Sequence, residues 1–238
     1  MRVRLTVIGS SPAWPNPGSA QSGYLLDQKG EGGKLLLDCG PGVLGRLREA
    51  GSEDVDAIAI THFHLDHWGD LVPWAWLAAY GAAPAPPPEL WLPPGGGDEL
   101  AKFASLWGNR NMFEKAFELR EFEADRPFEA AGFEVEARRV PHYMLEAFGF
   151  RVRQDARTMA YSGDSAPSME LADLARDADL FLCEATLGTP ERDGPPRGHL
   201  TLQEAEAAAD GPLLVTHRPV ELASNGVRVA RDGLVVEI

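Results

Sequence analysis

The stretch Thr61–His67, which reads THFHLDH, decides how this sequence is interpreted. It follows a short apolar run that is predicted to be a buried strand, so its polar residues begin where that strand ends. His62 and His64 are two positions apart and face the same side of an extended segment, where both can bind one ion. Asp66 and His67 lie on the turn into the next helix, in position for a second ion. Imidazole and carboxylate suit zinc, so the stretch predicts a metal site rather than a polar surface cluster.

Three other strand ends supply residues of the same chemical types. His142, Asp164 and His217 each follow a short run that is predicted to be a strand. Functional groups are often carried on loops that a rigid scaffold brings together, and the pattern therefore favours one shared site. A single histidine is more often structural, so the prediction depends on the whole set. The candidate metal ligands are His62, His64, Asp66, His67, His142, Asp164 and His217.

The chain resembles the metallo-β-lactamase-fold hydrolases over nearly its whole length. Residues 62–67 match the HxHxDH motif of that superfamily, and Asp38 matches its earlier aspartate, which supports the metal loops without binding an ion. The resemblance implies two divalent metal ions, with Zn²⁺ favoured and Mn²⁺ or Fe as alternatives. It also implies the assignment of the ligands: His62, His64 and His142 to one ion, Asp66, His67 and His217 to the other, and Asp164 to both.

The same resemblance implies a fold of the α/β class. This fold is a four-layer αβ/βα sandwich, in which two mixed sheets pack face to face with helices outside. Strands dominate the first half of the sequence and alternate with helices later, a pattern that is typical of such layered packing. No stretch has the composition of a linker, so residues 1–238 are expected to form a single hydrolase domain.

Hydrophobic periodicity and turn residues predict the individual elements. Helices are predicted at 43–50, 71–80, 98–107, 169–176 and 201–209, and strands at 3–8, 24–26, 35–39, 57–60, 89–92, 117–122, 133–140, 148–153, 158–161, 180–183, 213–215, 227–230 and 234–238. Thr201 is expected to cap its helix, with Glu204 completing a capping box. Gly30, Gly32 and Gly33 are expected at a hairpin turn, and residues 82–88 form a proline-rich loop.

The sixth histidine, His199, is not among the expected metal ligands. One interpretation is that it caps the helix that begins near Thr201 or lies in solvent. The other is that it lines the site as a proton donor or as a group that stabilises an oxyanion. With Leu200, Thr201 and Glu204 after it, His199 resembles a histidine of the phosphodiesterase and ribonuclease Z-like branch. By that resemblance the catalytic residues are Asp66, Asp164 and His199.

Two departures from the tRNA-processing enzymes of that branch bear on the substrate. Those enzymes usually carry glycine where this chain has Leu65, and they insert a long tRNA-binding arm between the third motif and the bridging aspartate. Here His142 and Asp164 are only about twenty residues apart, so the arm is missing. The resemblance then implies that a metal-bridging hydroxide attacks a small phosphodiester, such as a cyclic nucleotide. A tRNA 3′-processing activity and hydrolysis of a lactone, thioester or carboxylic ester remain alternatives, and a metal-bound sensor is a further one.

The composition limits the partners and the compartment. A net charge of −14 disfavours a surface that wraps tRNA, because phosphate backbones are bound by clustered Lys and Arg. The only two cysteines, Cys39 and Cys183, lie in apolar runs and are expected to be buried and reduced. The sequence has no apolar run that could span a bilayer and no signal peptide pattern, so a cytoplasmic enzyme is expected. A homodimer remains open.

Overall fold

Thirteen β-strands form two sheets in the computed structural model, which describes residues 3–28, 32–82 and 86–238. The strands are β1 (Val3–Gly9), β2 (Gly23–Gln28), β3 (Lys34–Leu37), β4 (Ala57–Ala59), β5 (Glu89–Leu92), β6 (Glu118–Glu121), β7 (Phe128–Ala130), β8 (Phe133–His142), β9 (Leu145–Gln154), β10 (Arg157–Tyr161), β11 (Leu180–Glu184), β12 (Leu213–Thr216) and β13 (Val235–Glu237). The first sheet has the order β13-β1-β2-β3-β4-β5-β6, and the second has the order β12-β11-β10-β9-β8-β7.

Both sheets are mixed. In the first, β3 to β6 run parallel, whereas β13, β1, β2 and β3 pair antiparallel. In the second, β10, β11 and β12 run parallel, whereas β7 to β10 form antiparallel pairs. Parallel neighbours require crossover connections, and these connections carry most of the helices. The carboxyl ends of β3 and β4 therefore lie side by side, and those of β10, β11 and β12 do so in the second sheet.

Helices cover the outer face of each sheet. They are α1 (Val43–Glu49), α2 (Leu65–Trp68), α3 (Leu71–Tyr80), α4 (Gly96–Ser105), α5 (Met112–Ala116), α6 (Met169–Ala175) and α7 (Leu202–Ala208). The first five helices pack against the first sheet, and α6 and α7 pack against the second. The four-layer αβ/βα arrangement expected from the sequence is confirmed.

The alternation of side chains along the strands fills two kinds of core. In β3, Leu35 and Leu37 are buried between the sheets, whereas Leu36 is buried against the helices. Such a strand reads as a continuous apolar run because both of its faces are covered. Between the sheets, Tyr24 and Tyr161 contact each other with ring centroids 4.9 Å apart. Their hydroxyl groups lead toward the polar end of this core, where the candidate site begins.

Most predicted elements are present within two or three residues, but the strand predicted at 227–230 is wrong. Only Val229 forms a bridge, to Val215 of β12. Hydrogen bonds close turns at 224–227 and 231–234, and the segment between these turns pairs with β12 only at this one bridge. The short elements α2, α5 and β7 were not predicted, because three to five residues carry too little periodicity.

Two predicted loops fall partly outside the described residues. Gly30 of the predicted hairpin turn is one such position, and residues 83–85 of the proline-rich loop are the others. The strands that flank the first turn, β2 and β3, are antiparallel neighbours as predicted. Both cysteines are buried and unpaired. Across the described ranges, no helix combines the length and the apolar character needed to cross a bilayer.

Candidate metal centre

The candidate site lies where strand ends from both sheets meet. Residues 61–67 follow β4 of the first sheet, and they lead into α2. The other three candidate ligands come from the second sheet. His142 is the last residue of β8, Asp164 follows β10, and His217 follows β12. The structure therefore brings all seven candidate ligands together, although they come from four separate parts of the chain.

The first group of ligand atoms is formed by three histidines. Nδ1 of His64 lies 3.2 Å from Nε2 of His62 and 2.9 Å from Nε2 of His142. Oδ2 of Asp164 completes the group, at 3.9 Å from Nε2 of His62 and 4.0 Å from Nε2 of His142. These four residues could hold one metal ion.

The second group shares Asp164 with the first. Oδ2 of Asp164 lies 3.3 Å from Nε2 of His67, and Oδ1 lies 3.7 Å from Nε2 of His217. Oδ2 of Asp66 lies 3.1 Å from Nε2 of His217 and 3.5 Å from Nε2 of His67. These residues could hold a second ion, with the Asp164 carboxylate placed between the two positions.

Asp38 holds residues of the site in position through hydrogen bonds. Its φ of 58° is left-handed, a region that Asp tolerates better than most residues. Its carboxylate accepts hydrogen bonds from the Thr61 backbone N–H at 2.8 Å, from Nδ1 of His67 at 2.7 Å and from the Tyr161 hydroxyl at 2.8 Å. A carboxylate that orients a ligand histidine in this way is typical of metal sites.

The hydrogen bonds at Nδ1 determine which nitrogen each buried histidine presents. Nδ1 of His67 donates to Asp38, and Nδ1 of His142 donates to the Gly198 carbonyl at 2.7 Å. Nδ1 of His62 lies 3.0 Å from the Thr61 hydroxyl, and Nδ1 of His217 lies 2.8 Å from the Thr186 hydroxyl. Each hydroxyl lies within 3.0 Å of a carboxylate oxygen and can donate to it, which leaves its oxygen to accept the Nδ1 proton.

In their neutral forms, these four rings would therefore direct an unprotonated Nε2 at the centre of the cluster. Such converging lone pairs repel one another unless a cation lies between them. Nε2 of His67 and Oδ1 of Asp164 are buried, and within the described part of the chain neither has a hydrogen-bond partner. The donor set thus fits divalent metal ions, because a cation would satisfy these atoms.

The pKa shifts at the site also indicate that the cluster favours a bound cation. Burial lowers the pKa of His62, His64 and His142, which favours their neutral forms. Burial would raise the pKa of Asp66 and Asp164, but His217 and His67 hold both carboxyl pKa values below their usual range.

His67 shows how strongly the site favours positive charge. Burial alone would lower its pKa, but Asp164 and Asp38 outweigh burial and raise the pKa well above its usual value. A cation beside Nε2 of His67 would supply the same positive charge as the proton.

His199 lies against this cluster and does not cap the following helix. Thr201 and Glu204 form the capping box of α7, as predicted. Nδ1 of His199 instead lies 3.0 Å from Oε1 of Glu184 and 3.8 Å from Oδ2 of Asp164. Burial would lower the pKa of His199, but Glu184 outweighs it and raises the pKa to about 9. The ring is thus held by its Nδ1 edge, which leaves Nε2 for a ligand.

A cleft of 870 Å³ opens beside His199 and His217. Its size is that of a small-molecule site, since such sites measure roughly 300–1,000 Å³. The loop between β1 and β2 contributes two of its residues. The cleft is lined by Ala13, Trp14, Tyr143, Thr186, Leu187, Gly188, Thr189, Arg192, Asp193, His199, His217, Pro219, Glu221 and Leu222.

Glu184 is the residue of the site that the sequence analysis missed. It is fully buried at the end of β11 and accepts hydrogen bonds from the backbone N–H groups of Ser165 and Thr186 at 3.1 and 3.0 Å. The signal was present, because β11 reads LFLCE and a single acidic residue ends an apolar strand. The same pattern, a polar residue at the end of a buried strand, identified His142 and His217.

Comparisons with known proteins agree with this geometry. The family model of the beta-lactamase superfamily domain matches residues 34–212. An uncharacterized protein of Mycobacterium leprae is 33% identical over 224 residues, which cover 91% of this chain and 78% of the relative.

Two solved structures are similar over almost the entire chain. The crystal structure of the metallo-beta-lactamase fold protein YhfI from Bacillus subtilis superposes with a TM-score of 0.83 at 23% identity, covering 98% of this chain and 99% of that one. The short form of human tRNase Z has a TM-score of 0.74 at 25% identity and 98% coverage of both chains.

Proposed function

The chain belongs to the beta-lactamase superfamily and is a metal-dependent hydrolase, and we propose that it cleaves a small phosphodiester, such as a cyclic nucleotide, at a dinuclear centre. We assign the activity to one hydrolase domain spanning residues 1–238. In this proposal one ion is bound by His62, His64 and His142, the other by Asp66, His67 and His217, and both by Asp164. Zn²⁺ is the favoured metal because of the five imidazoles, and Mn²⁺ or Fe are alternatives.

Two divalent cations would lower the pKa of a water molecule and neutralise phosphoryl oxygens. The protein's own groups have separate tasks around them. Asp66 and Asp164 present buried, ionised carboxylates at the centre of the cluster, and we assign to them the orientation of the attacking water. His199, protonated at Nε2, donates to the oxygen that leaves from phosphorus.

The pairing of Glu184 with His199 is the observation that carries the preference for phosphodiesters. An alkoxide expelled from phosphorus is a poor leaving group unless it is protonated, so a held proton donor is of direct use. Glu184 favours the protonated ring and fixes its orientation through Nδ1. The ring also lines the cleft next to Asp164, so a substrate bound there would meet Nε2.

A tRNA 3′-processing activity is the second candidate, and the similarity to human tRNase Z favours it. Two observations weigh against it. The residues between His142 and Asp164 form β9 and β10. Two-residue connections join β8 to β9 and β9 to β10, which leaves no segment for a tRNA-binding arm. The net charge of −14 also opposes a long phosphate backbone.

A substrate panel tests the proposal. Metal-analysed protein should be assayed with a bis-aryl phosphate, 2′,3′- and 3′,5′-cyclic nucleotides, a lactone, a thioester and a tRNA precursor. We expect the phosphodiesters to give the highest kcat/KM. Faster turnover of the lactone or thioester would favour the ester-hydrolase alternative, and a metal-loaded protein that turned over none of them would favour a sensor.

A further inference from the structure

Trp14 is an exposed aromatic side chain in the wall of the candidate cleft. The residue is 53% exposed and lines the cleft, so part of its indole is accessible to a bound ligand. The same cleft is lined by the apolar side chains of Leu187, Pro219 and Leu222. The reacting end of the cleft, by contrast, is marked by His199 and His217. The cleft lining thus includes, besides residues of the candidate site, apolar side chains that have no part in the proposed chemistry.

The loop that carries Trp14 is fixed on both sides of the indole. Before it, the Gln21 side-chain amide donates to the carbonyls of Pro12 and Ala13. After it, the Asn16 side chain donates to the Arg218 carbonyl at 3.0 Å and accepts from the Val220 N–H at 3.1 Å.

The two hydrogen bonds of Asn16 join the Trp14 loop to the segment that directly follows His217. The backbone of an exposed side chain is therefore held in a defined place relative to the metal centre. A site that is fixed before its ligand arrives loses less free energy on binding.

We propose that Trp14 is a specificity-determining residue, which stacks on a planar aromatic ring in the part of the substrate that does not react. The substrate class would be phosphodiesters that carry a nucleobase or an aryl group, in preference to aliphatic diesters. This inference rests on the proposed function. The volume of 870 Å³ accommodates more than a phosphodiester group alone, which leaves space for such a ring. A ring is also the shape that an indole face and an apolar wall recognise by contact area and stacking.

Matched substrates separate stacking from catalysis. 2′,3′-Cyclic AMP and glycerol 1,2-cyclic phosphate share the five-membered cyclic diester, but only the first has a base. Removal of one base–aromatic stack typically weakens binding by about 5- to 150-fold. We expect Trp14→Ala to lower kcat/KM for 2′,3′-cyclic AMP by about this factor and to leave kcat/KM for the glycerol substrate unchanged.

Two control variants test whether the effect belongs to this indole. Trp14→Phe retains an aromatic face and should retain most of the activity on cyclic AMP. Trp107→Ala removes a similarly exposed indole, 50% exposed, that does not line the cleft. It should leave kcat/KM unchanged for both substrates. An equal loss on both substrates in Trp14→Ala would overturn the inference, because it would mean general damage to the site. Unchanged kcat/KM on both would overturn it as well.

A binding measurement separates this inference from the proposed function. Calorimetric titration of the metal-loaded protein with AMP and with ribose 5-phosphate reports base recognition without turnover. We expect Trp14→Ala to weaken AMP binding and to leave ribose 5-phosphate unaffected. If the protein hydrolyses no diester but shows this difference, the proposed function fails and the stacking role stands. If it hydrolyses diesters and AMP binding does not change in the variant, the stacking role alone fails.

Discussion

At the scale of single residues, His199 connects the sequence to the reaction. Its position before a capped helix suggested two roles, and the structure excludes the capping role because Thr201 occupies the cap. Glu184 holds the ring instead, through a hydrogen bond between its buried carboxylate and Nδ1. A buried charge costs free energy unless it is well paired, and besides His199 Glu184 accepts from three backbone N–H groups and the Thr186 hydroxyl. This cost is understandable if the orientation of His199 serves catalysis.

The first prediction concerns His199→Ala. We expect the variant to keep its metal content and its fold, because none of the seven candidate ligands is removed. It should lower kcat by about 10²–10⁴-fold for a diester with a poor alkoxide leaving group. The loss should be smaller for an activated aryl leaving group, which needs little protonation. Measurement of kcat for both substrates, with metal analysis and a melting temperature, checks this. An unchanged kcat on both would remove His199 from the mechanism.

The second prediction concerns the two metal positions. His62 and His217 are matched, since each is buried and each places Nδ1 against a threonine hydroxyl. We expect elemental analysis to give two metal ions per wild-type chain. His62→Ala should weaken one site and His217→Ala the other, whereas Asp164→Asn should weaken both. Titration of the metal-free variants with Zn²⁺ distinguishes the cases. A single tight ion in metal-replete wild-type protein would contradict the dinuclear centre.

At the scale of elements, the sequence was most informative where a strand gives way to a loop. A short apolar run followed by a polar residue marked the ends of β4, β10 and β12, because a buried strand needs no polar residue until it leaves the core. It was least informative for short elements and for segments such as 227–230. There, one bridge to β12 and two flanking turns replace a full strand pairing, which local apolar composition does not reveal.

The third prediction concerns the capping box of α7. Oε1 of Glu204 accepts from Arg197 at 2.8 Å, and Oε2 accepts from the Thr201 N–H at 2.8 Å. The hydrogen bond from Arg197 is the largest cause that lowers the Glu204 pKa, from 4.5 to about 2. The ionised form therefore stabilises the fold above the unfolded value of 4.5, and this contribution is lost as the pH falls toward 2.

We accordingly expect Glu204→Gln to be less stable than wild type at pH 7 by about 1 kcal/mol, the usual size of a capping effect. This difference in the free energy of unfolding should be constant above about pH 5 and should become smaller below about pH 4.5. Urea unfolding of both proteins at several pH values measures it. Glu206→Gln, on the exposed side of the same helix, is the control and should show no such difference. A difference in unfolding free energy between the two proteins that increased at low pH would contradict the stabilising role of ionised Glu204.

At the scale of the whole molecule, the meeting of the two sheets makes the site. Residues 61–67 follow a strand of the first sheet and the other three candidate ligands lie at strand ends of the second, so neither of the two groups that share Asp164 is complete in one sheet. Periodicity alone predicts strands and loops but not which strand ends adjoin. The candidate ligand set was predicted because the motif resembles a known family. Glu184 and the cleft wall lay outside that motif and required the structure.

The fourth prediction follows from this shared construction. Removal of the metal ions leaves buried carboxylates and imidazole lone pairs facing one another across the two sheets, so chelation should destabilise the entire fold. Ions at roughly 1,000 times their Kd contribute about 4 kcal/mol, which corresponds to about 8–16 °C in Tm for a chain of this size. Thermal unfolding before and after chelation, and again after Zn²⁺ is restored, measures the shift. An identical Tm in all three states would mean that the ions do not link the sheets.

The last prediction follows from the net charge of the chain and from its short connections between His142 and Asp164. A protein that grips tRNA neutralises several phosphates, so its affinity falls steeply with salt. This chain carries a net charge of −14, and short connections replace the arm between His142 and Asp164. We therefore expect a higher kcat/KM for small cyclic diesters than for a tRNA precursor, with weak salt dependence for the diesters. Both substrates should be assayed with the same metal-loaded preparation at low and at physiological salt. Cleavage of the precursor near its 3′ end faster than any small diester, with a steep loss at higher salt, would instead show a polyanion-binding surface and reverse the order of the two candidate functions.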